Sequence, residues 1–252
     1  MYQGDKKRDT AIVVAGGKGS RMGSDLPKQY LEIKGRPVIS YCLEAFERSF
    51  IDEVILVAAE EFLDYCRQNI VEKYAFKKVK KIVAGGKERY HSVEKGLQEA
   101  KGSDYVYIHD AARPYLTREM LERLAQAVRH YDAVTAAMPS KDTIKEADEN
   151  AMSVKTLDRS KLWNIQTPQV FSYPLLCQAF ENLKKDQAVG ITDDTMVVER
   201  YTGHRVKLVE GSYSNYKITT PEDMIIMEAL LSEEKNKNTI KKRKILVDTK
   251  DY

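Results

Sequence analysis

The chain has 252 residues, of which 42% are hydrophobic and 31% charged, a composition typical of a globular protein with a sizeable core. No apolar run approaches the roughly 20 residues of a membrane span, and the N-terminus lacks the apolar core of a signal peptide, so we expect no membrane association. The net charge of +3 equals the excess of cations in residues 232–252, seven Lys/Arg against four Asp/Glu, and the neutral remainder gives no sign of a nucleic-acid surface.

The cysteines and the basic tail indicate the cellular setting. Cys42, Cys66 and Cys177 are scattered and lack C-x-x-C spacing, which disfavours a disulfide framework or a zinc site and favours a reducing cytoplasm. The run KKRK at 241–244 is either a contact for RNA or a membrane surface, or part of a solvated extension. We interpret residues 232–252 as a flexible C-terminal tail.

Short apolar, β-branched runs alternate along the chain with amphipathic segments. The runs predict strands at 11–14, 54–59, 79–83, 105–108, 133–138 and 206–209. The segments predict helices near 38–49, 60–75, 88–101 and 117–130. Strands that alternate with helices of this length indicate βαβ units. We therefore predict an α/β fold with three layers and a mostly parallel sheet, in one domain that spans residues 1–231.

Three threonines occupy positions that favour the start of a helix. Thr117 and Thr192 each precede a polar, acidic first turn, and Gly203 is placed to end the second of these helices. The sequence TPED at 220–223 combines a capping residue, a proline suited to the first turn and acids near the positive end of the helix dipole. Helices are therefore expected to begin directly after Thr117, Thr192 and Thr220.

The glycine-rich loop after the first predicted strand is the strongest functional signal in the chain. Gly16, Gly17 and Gly19 lie in this loop, and Arg21 and Lys28 follow. Glycines allow backbone N–H groups to approach and cradle phosphate oxygens, and the two cations can neutralise the same phosphates. The loop therefore predicts a bound nucleoside triphosphate that undergoes attack.

Two familiar phosphate-binding motifs do not fit this loop. No register of its glycines supplies the G-x-x-x-x-G-K-[ST] of a P-loop. Gly17, Gly19 and Gly23 are spaced one residue too long for the dinucleotide fingerprint, and the acidic residue expected roughly 20 positions later is missing. A plain turn after a strand remains the structural alternative.

Three further polar clusters follow predicted strands, at the edge where ligands of parallel α/β sheets bind. Gly86 and Ser92 are suited to contact a base or sugar, although a simple turn explains this cluster nearly as well. Asp110 is a natural Mg²⁺ ligand beside a triphosphate, or else it pairs with Arg113. Lys217 either adds charge at a helix N-terminus or is solvated.

These clusters together favour one type of chemistry. They place cations and one carboxylate at several strand ends, with no pairing of Ser or Cys with His that would indicate a nucleophile and its base. Phosphoryl and nucleotidyl transfer depend mainly on positioning and charge neutralisation. A transfer reaction of this type is therefore the prediction.

The alternation of strands and helices stops between about 139 and 171. This segment is polar and rich in turns, and it holds only short apolar stretches. We interpret it as an extended arm or hairpins that project from the sheet. Such an arm must bury its apolar residues against something, and a second copy of the chain is a reasonable candidate.

Seven motifs, in register, resemble those of the 2-C-methyl-D-erythritol 4-phosphate cytidylyltransferases, which make an isoprenoid precursor. They are AGGKGSRMGSDLPKQY, GGKERYHSV, HDAARP, KDTIK, DRSKLWNIQTPQVF, ITDD and NYKITTPEDM, within residues 10–231. The resemblance implies a Rossmann-like nucleotidyltransferase fold, Mg²⁺ as cofactor, and a homodimer in which the arm reaches across to the partner's site. It implies that CMP passes from CTP to the sugar-alcohol phosphate and that pyrophosphate is released.

The resemblance also assigns roles to individual residues. The implied catalytic residues are Arg21, Lys28, Arg159 and Lys217. The implied nucleotide-binding residues are Ala15, Gly16, Gly17, Gly19, Gly86, Ser92, Asp110 and Ala111, with Asp110 also holding the metal. The implied contacts of the sugar phosphate are Arg113, Thr143, Arg159, Thr167, Thr192 and Lys217, some of them offered across the dimer. The basic tail has no counterpart in the resemblance.

Three alternative functions stay open at this point. Ribitol-5-phosphate cytidylyltransferases share the fold and the nucleotide, but relatives of that type tend to read PKQF and HDSVRP, where this chain has PKQY and HDAARP. A catalytically silent, nucleotide-binding homologue is disfavoured because the implied catalytic residues are all present. RNA binding would depend on the tail alone and would be strongly salt-sensitive.

Overall fold

A computed structural model describes residues 7–17, 26–186 and 189–233. Its strands are β1 (Asp9–Ala15), β2 (Glu32–Ile33), β3 (Arg36–Pro37), β4 (Glu53–Ala58), β5 (Val79–Ala84), β6 (Tyr105–Asp110), β7 (Ala133–Pro139), β8 (Lys145–Ala147), β9 (Ser153–Thr156), β10 (Trp163–Ser172) and β11 (Lys207–Glu210). Its α-helices are α1 (Val38–Glu47), α2 (Leu63–Tyr65), α3 (Arg89–Glu99), α4 (Arg118–Tyr131), α5 (Tyr173–Leu183), α6 (Asp194–Thr202) and α7 (221–233). The six predicted strands are confirmed within two residues of their bounds.

Seven strands form the central sheet, in the order β11-β7-β10-β6-β1-β4-β5. All neighbouring pairs are parallel except those of β10, which runs antiparallel to both β6 and β7. The predicted mostly parallel sheet is therefore confirmed. The shared direction places the carboxyl ends of β1, β4, β5 and β6 side by side, where polar loops follow each strand.

Helices cover both faces of the sheet, which gives three layers. Successive residues of β1 point to opposite faces, so Ala11 and Val13 pack in one apolar cluster and Ile12 in the other. The first cluster includes side chains of α1 and α4, and the second includes side chains of α3, α5 and α6. Strands that are buried on both faces read as continuous apolar runs, which is why the sequence predicted them well.

The predicted helix starts are confirmed at two of the three threonines. Thr117 Oγ1 accepts a hydrogen bond from Met120 N (3.3 Å) at the start of α4, and α7 begins directly after Thr220. The start of α6 lies one residue later than predicted, because Asp193 rather than Thr192 is the N-cap. Gly203 ends α6 with φ +70°, a conformation that glycine adopts without strain.

Two segments depart from the predicted elements. The helix expected at 60–75 is instead a 3₁₀ turn at Glu60–Phe62, then α2, then a π-helical stretch at Cys66–Glu72. The arm is shorter than the predicted 139–171, because β10 (Trp163–Ser172) belongs to the central sheet. What projects is the antiparallel hairpin of β8 and β9, with a short 3₁₀ turn at Arg159–Lys161.

No helix within the ranges described above is both long and apolar enough to cross a membrane. The basic tail predicted at 232–252 lies outside the described residues beyond position 233.

Candidate active site

A cleft of about 610 Å³ opens at the carboxyl edge of β1, β4, β5 and β6. Most of the residues implied to bind the nucleotide line it, together with both of the implied catalytic lysines. These residues are Ala15, Gly16, Gly17, Lys28, Gly86, Ser92, Asp110, Ala111 and Lys217. Gly19 and Arg21, also implied at this site, lie outside the described residues.

The loop after β5 approaches the cleft through its backbone. A Cβ atom at Gly86 would collide with the side chain of His91, so this position requires glycine. Gly86 N donates a hydrogen bond to Ser92 Oγ (3.1 Å), and Ser92 is buried at the start of α3. Ser92 therefore holds the loop against α3, and the bare backbone of the loop faces the cleft.

Lys28 is fixed to the first loop by its neighbour Gln29. Gln29 Nε2 donates to the carbonyls of Ala15 (2.6 Å) and Gly17 (3.1 Å). Lys28 and Gln29 lie in one short 3₁₀ turn and are both buried, so these two hydrogen bonds tie the position of the lysine to the glycine loop. Sequence reasoning did not identify Gln29, although it is part of the PKQY motif.

Asp110, at the end of β6, is held between two cations. Its Oδ1 lies 3.0 Å from Arg89 Nε, and its Oδ2 lies 2.8 Å from Lys217 Nζ. Burial acts to raise the pKa of Asp110, but Arg89, Lys217 and Arg113 outweigh it and hold that pKa well below its usual range. The carboxylate is therefore ionised throughout the neutral pH range, and Lys217 is not simply solvated.

Arg89 bridges Asp110 to a second, fully buried carboxylate. Its Nη1 donates to Asp194 Oδ2 (2.7 Å), and the Asp194 side chain has no exposed area. Gln169 Oε1 accepts hydrogen bonds from the backbone N–H groups of Asp194 (2.9 Å) and Thr195 (3.2 Å). Arg89 and Asp194 occur within the GGKERYHSV and ITDD motifs, but sequence reasoning gave neither of them a role.

A chain of hydrogen bonds supports Asp110 from within the fold. Asp110 N donates to Thr167 Oγ1 (3.1 Å), which pairs with His109 Nδ1 (3.1 Å), and His109 Nε2 contacts the Arg113 carbonyl (3.0 Å). A carbonyl only accepts, so Nε2 carries the proton and Nδ1 accepts from the threonine hydroxyl. Burial lowers the pKa of His109 to about 4, which keeps the ring neutral. The Thr167 hydroxyl, implied as a substrate contact, is engaged in this chain.

The remaining residues implied for the sugar phosphate lie outside the cleft lining. Thr143 and Arg159 are exposed on the arm, and Arg159 Nη1 donates to the Lys141 carbonyl (2.8 Å). Thr192 is exposed just before α6. Arg113 Nη1 donates to the Asn215 carbonyl (2.7 Å) and so braces the loop that carries Lys217. The described residues of one chain therefore bring together the residues implied for the nucleotide more completely than those implied for the acceptor.

The donor set fits a magnesium ion held in part by substrate. Among the described residues no group of three or more His, Cys, Asp or Glu side chains is arranged as a metal cage. Mg²⁺ at nucleotide sites is typically bound by one or two carboxylates together with phosphate oxygens and waters. Asp110 supplies one such carboxylate at the cleft, and each of its oxygens retains acceptor capacity beside its cationic partner.

The three-layer α/β fold and a glycine-lined, cation-bearing cleft at its carboxyl edge define a nucleotidyltransferase. The family model for 2-C-methyl-D-erythritol 4-phosphate cytidylyltransferase matches residues 10–233. The chain belongs to this family, and it is therefore an enzyme of the cytidylyltransferase class.

Individual relatives agree with this assignment. A 2-C-methyl-D-erythritol 4-phosphate cytidylyltransferase from Lachnospira eligens is 50% identical over 220 residues, which is 86% of this chain and 96% of the relative. One from Clostridium botulinum (strain Eklund 17B) is 47% identical over 224 residues, covering 88% of this chain and 99% of the relative. The crystal structure of 4-diphosphocytidyl-2C-methyl-D-erythritol synthase from Anaerococcus prevotii matches with a TM-score of 0.77 and 34% identity, over 90% of this chain and 99% of that one.

Proposed function

We propose that the enzyme transfers CMP from CTP to 2-C-methyl-D-erythritol 4-phosphate, giving 4-diphosphocytidyl-2-C-methyl-D-erythritol and pyrophosphate. The observation that carries the proposal is the single cleft in which the glycine loop, Lys28, Asp110 and Lys217 come together. An oxygen of the acceptor phosphate attacks the α-phosphorus of CTP in line with the bond to the leaving pyrophosphate. One P–O bond forms as another breaks, and no oxidant or reductant takes part.

The cations of the cleft stabilise the charge that develops during this transfer. Lys28 is buried beside the first glycine loop and lines the cleft. In this mechanism it contacts the triphosphate. Arg21, which follows the same glycines in the sequence, shares this role in our proposal. Positioned cations at a desolvated site act most strongly where charge develops in the transition state, so these residues promote turnover more than ground-state binding.

In this mechanism Asp110 acts on the nucleotide side of the cleft and Lys217 on the acceptor side. Asp110 would hold Mg²⁺, which supplies neutralising charge to the triphosphate when bound. Lys217 lines the cleft, with its Nζ 2.8 Å from Asp110 Oδ2. In this mechanism it contacts the acceptor phosphate. The salt bridge keeps the lysine close to the nucleotide, so the acceptor phosphate is drawn toward the α-phosphorus.

The acceptor side is completed by a second copy of the chain. Thr143 and Arg159 lie on the arm and are absent from the lining of the cleft in their own chain. Met152 and Val154 on the same arm are 67% and 60% exposed, as expected of a surface that packs against a partner. We therefore assign a homodimer in which the arm brings Arg159 to the partner's acceptor phosphate.

A cytoplasmic location completes the proposal. Cys42 and Cys66 are buried free thiols, and Cys177 is a half-buried one, as expected of a protein in a reducing compartment.

Product analysis with purified protein tests the reaction directly. Incubation with CTP, Mg²⁺ and methylerythritol phosphate should release pyrophosphate and form the cytidylylated product, and ribitol 5-phosphate should be a far poorer acceptor. A preference for ribitol 5-phosphate would overturn the assigned acceptor. Calorimetry that shows CTP binding in a protein unable to release pyrophosphate would identify a silent homologue instead.

A further inference from the structure

We propose that Arg89 is a positioning residue for cytidylyl transfer, which holds the Asp110 carboxylate in its working orientation while Asp194 holds Arg89 in turn. This inference rests on the proposed function. The observation behind it is the pair of contacts made by one guanidinium, 3.0 Å to Asp110 Oδ1 and 2.7 Å to Asp194 Oδ2.

The Arg89 side chain contacts both the cleft and the protein interior. The Arg89 side chain is 26% exposed and lines the cleft, whereas the Asp194 side chain is fully buried. Arg89 therefore connects the Asp110 carboxylate, which lies at the cleft, to the fully buried Asp194 carboxylate. Asp110 is restrained on one oxygen by Arg89 and on the other by Lys217, so its orientation depends on both cations.

Gln169 anchors the start of α6 at Asp193 and Asp194, which makes Asp194 a fixed point for Arg89. The backbone N–H of Asp194 donates to Gln169 Oε1 (2.9 Å) at the start of α6, and Gln169 Nε2 donates to Asp193 Oδ2 (2.8 Å). Gln169 lies on β10, two residues after Thr167, whose hydroxyl accepts from Asp110 N (3.1 Å). Strand β10 therefore supports Asp110 in two ways. Thr167 accepts a hydrogen bond from the backbone N–H of Asp110. Gln169 holds Asp194, which in turn holds Arg89 against the Asp110 carboxylate.

Stability alone gives a weak reason for this arrangement. Burial of an ion pair removes two charges from water, which costs much of the free energy that the pair gains. Apolar side chains of similar size therefore often stabilise a fold as well or better. A guanidinium presents its nitrogens in fixed directions and so holds two carboxylates at a set angle, whereas the three donors of a lysine ammonium rotate and fix no such angle. Arginine is therefore the side chain that orients Asp110 relative to the triphosphate.

The test compares Arg89→Gln, Arg89→Lys and Asp194→Asn with a matched control, Arg118→Gln. Arg118 is the first residue of α4, as Arg89 is of α3, and it pairs with Glu122 on the surface. For each folded variant, kcat, the KM of both substrates and the Mg²⁺ concentration for half-maximal rate are measured. CTP affinity in the presence of Mg²⁺ is measured by calorimetry without the acceptor.

Loss of a residue that orients a metal-binding carboxylate typically costs about 10- to 100-fold in activity or metal affinity. We expect Arg89→Gln to lower kcat and to raise the Mg²⁺ requirement by that factor, with the KM of the acceptor changed far less. Arg89→Lys should fail to restore kcat, Asp194→Asn should act in the same direction, and Arg118→Gln should match the wild type. A folded Arg89→Gln or Asp194→Asn enzyme with wild-type kcat and Mg²⁺ requirement overturns the proposal.

A double-mutant cycle shows whether Arg89 acts through Asp110. In an Asp110→Asn background, the further change Arg89→Gln should alter kcat/KM by no more than about twofold, because the group that it orients is already lost. Fully additive losses would mean that Arg89 acts independently of Asp110 and would reject the mechanism. If the wild-type protein forms no product, the proposed reaction is rejected instead. Calorimetry of the wild type and Arg89→Gln with CTP still measures the effect of Arg89 on nucleotide binding in that case.

Discussion

The two edges of the central sheet each bury an aspartate, in opposite electrostatic surroundings. Asp110 ends β6 at the carboxyl edge, where Arg89 and Lys217 hold its pKa well below the usual range. Asp9 begins β1 at the amino edge, where burial raises its pKa to about 6 although Arg129 opposes the shift. Both carboxyls are desolvated, so the number of close cations decides the direction in which each pKa is shifted.

The same contrast separates function from stability. The carboxyl edge gathers the glycine loops, Lys28, Asp110 and Lys217 around one cleft, and the arm leaves the sheet from this edge. The amino edge has its own cavity of about 460 Å³, lined in part by Asp9, Asp52 and Arg129, and no glycine is among the described residues that line it. Substitutions at the carboxyl edge should therefore change turnover, and those at the amino edge should change stability alone.

The largest effect is expected from Lys28→Ala. Removal of a single group that stabilises charge in the transition state costs about 100- to 1,000-fold in kcat, so we expect a loss of that size with folding little changed. Steady-state kinetics and thermal unfolding measure the two quantities. The control is Lys95→Ala, an exposed lysine of α3 remote from the cleft lining. Unchanged turnover in the Lys28→Ala enzyme would remove this lysine from the mechanism.

A smaller effect, on acceptor binding, is expected from Arg159→Ala. Loss of one charged contact to a phosphate weakens binding by about 10-fold or more, so the KM of the sugar phosphate should rise while the KM of CTP stays unchanged. Mixed dimers of Lys28→Ala and Arg159→Ala chains then distinguish an arm acting in trans from one acting in cis. In trans, one site of each mixed dimer is intact, so at an acceptor concentration well below the KM of the Arg159→Ala enzyme random assortment restores about a quarter of wild-type activity.

Two results would contradict the assignment of the arm. Mixed dimers that form, as shown by differently tagged chains, but recover no activity would place Arg159 in its own chain's site. A protein that is monomeric at assay concentration and fully active would remove the need for a partner altogether.

The sequence predicted the framework of this molecule because its strands are locally encoded. β1, β4 and β6 are buried on both faces and read as continuous apolar runs whatever their neighbours are. β10 was missed because its centre is polar, with Gln166, Thr167 and Gln169 buried. Their hydrogen-bond partners lie in other segments, Ser212 for Gln166 and Asp193 for Gln169, and no local pattern reveals such pairings.

The part of the candidate site that sequence motifs could predict also depends on local patterns. The glycine loops and Lys28 form contiguous motifs, and glycines followed closely by a cation indicate phosphate binding without knowledge of the fold. Arg89 stands in a run of charged residues, and its partners Asp110 and Asp194 are 21 and 105 residues away. Only the folded chain brings these three side chains together, so residue spacing could not predict a role for Arg89.

The smallest effect, confined to stability, is expected at Asp9 on the amino edge. Burial raises the pKa of Asp9 to about 6, assisted by Asp52 and Asp104 and opposed by Arg129 and a hydrogen bond from Tyr107. Since the folded-state pKa lies above the unfolded value of 3.8, this group stabilises the fold at low pH. That contribution is lost as the pH rises through 6.

Asp9→Asn removes this titration and so tests it directly. Between pH 5 and pH 8 the wild type should lose about 1–2 kcal/mol of unfolding free energy relative to Asp9→Asn, as measured by urea unfolding at each pH. The kcat of the variant should equal that of the wild type, because Asp9 lies at the edge of the sheet opposite the cleft. Parallel pH profiles of the two proteins would show that Asp9 is ionised in the fold, and a reduced kcat would show that the two edges are coupled.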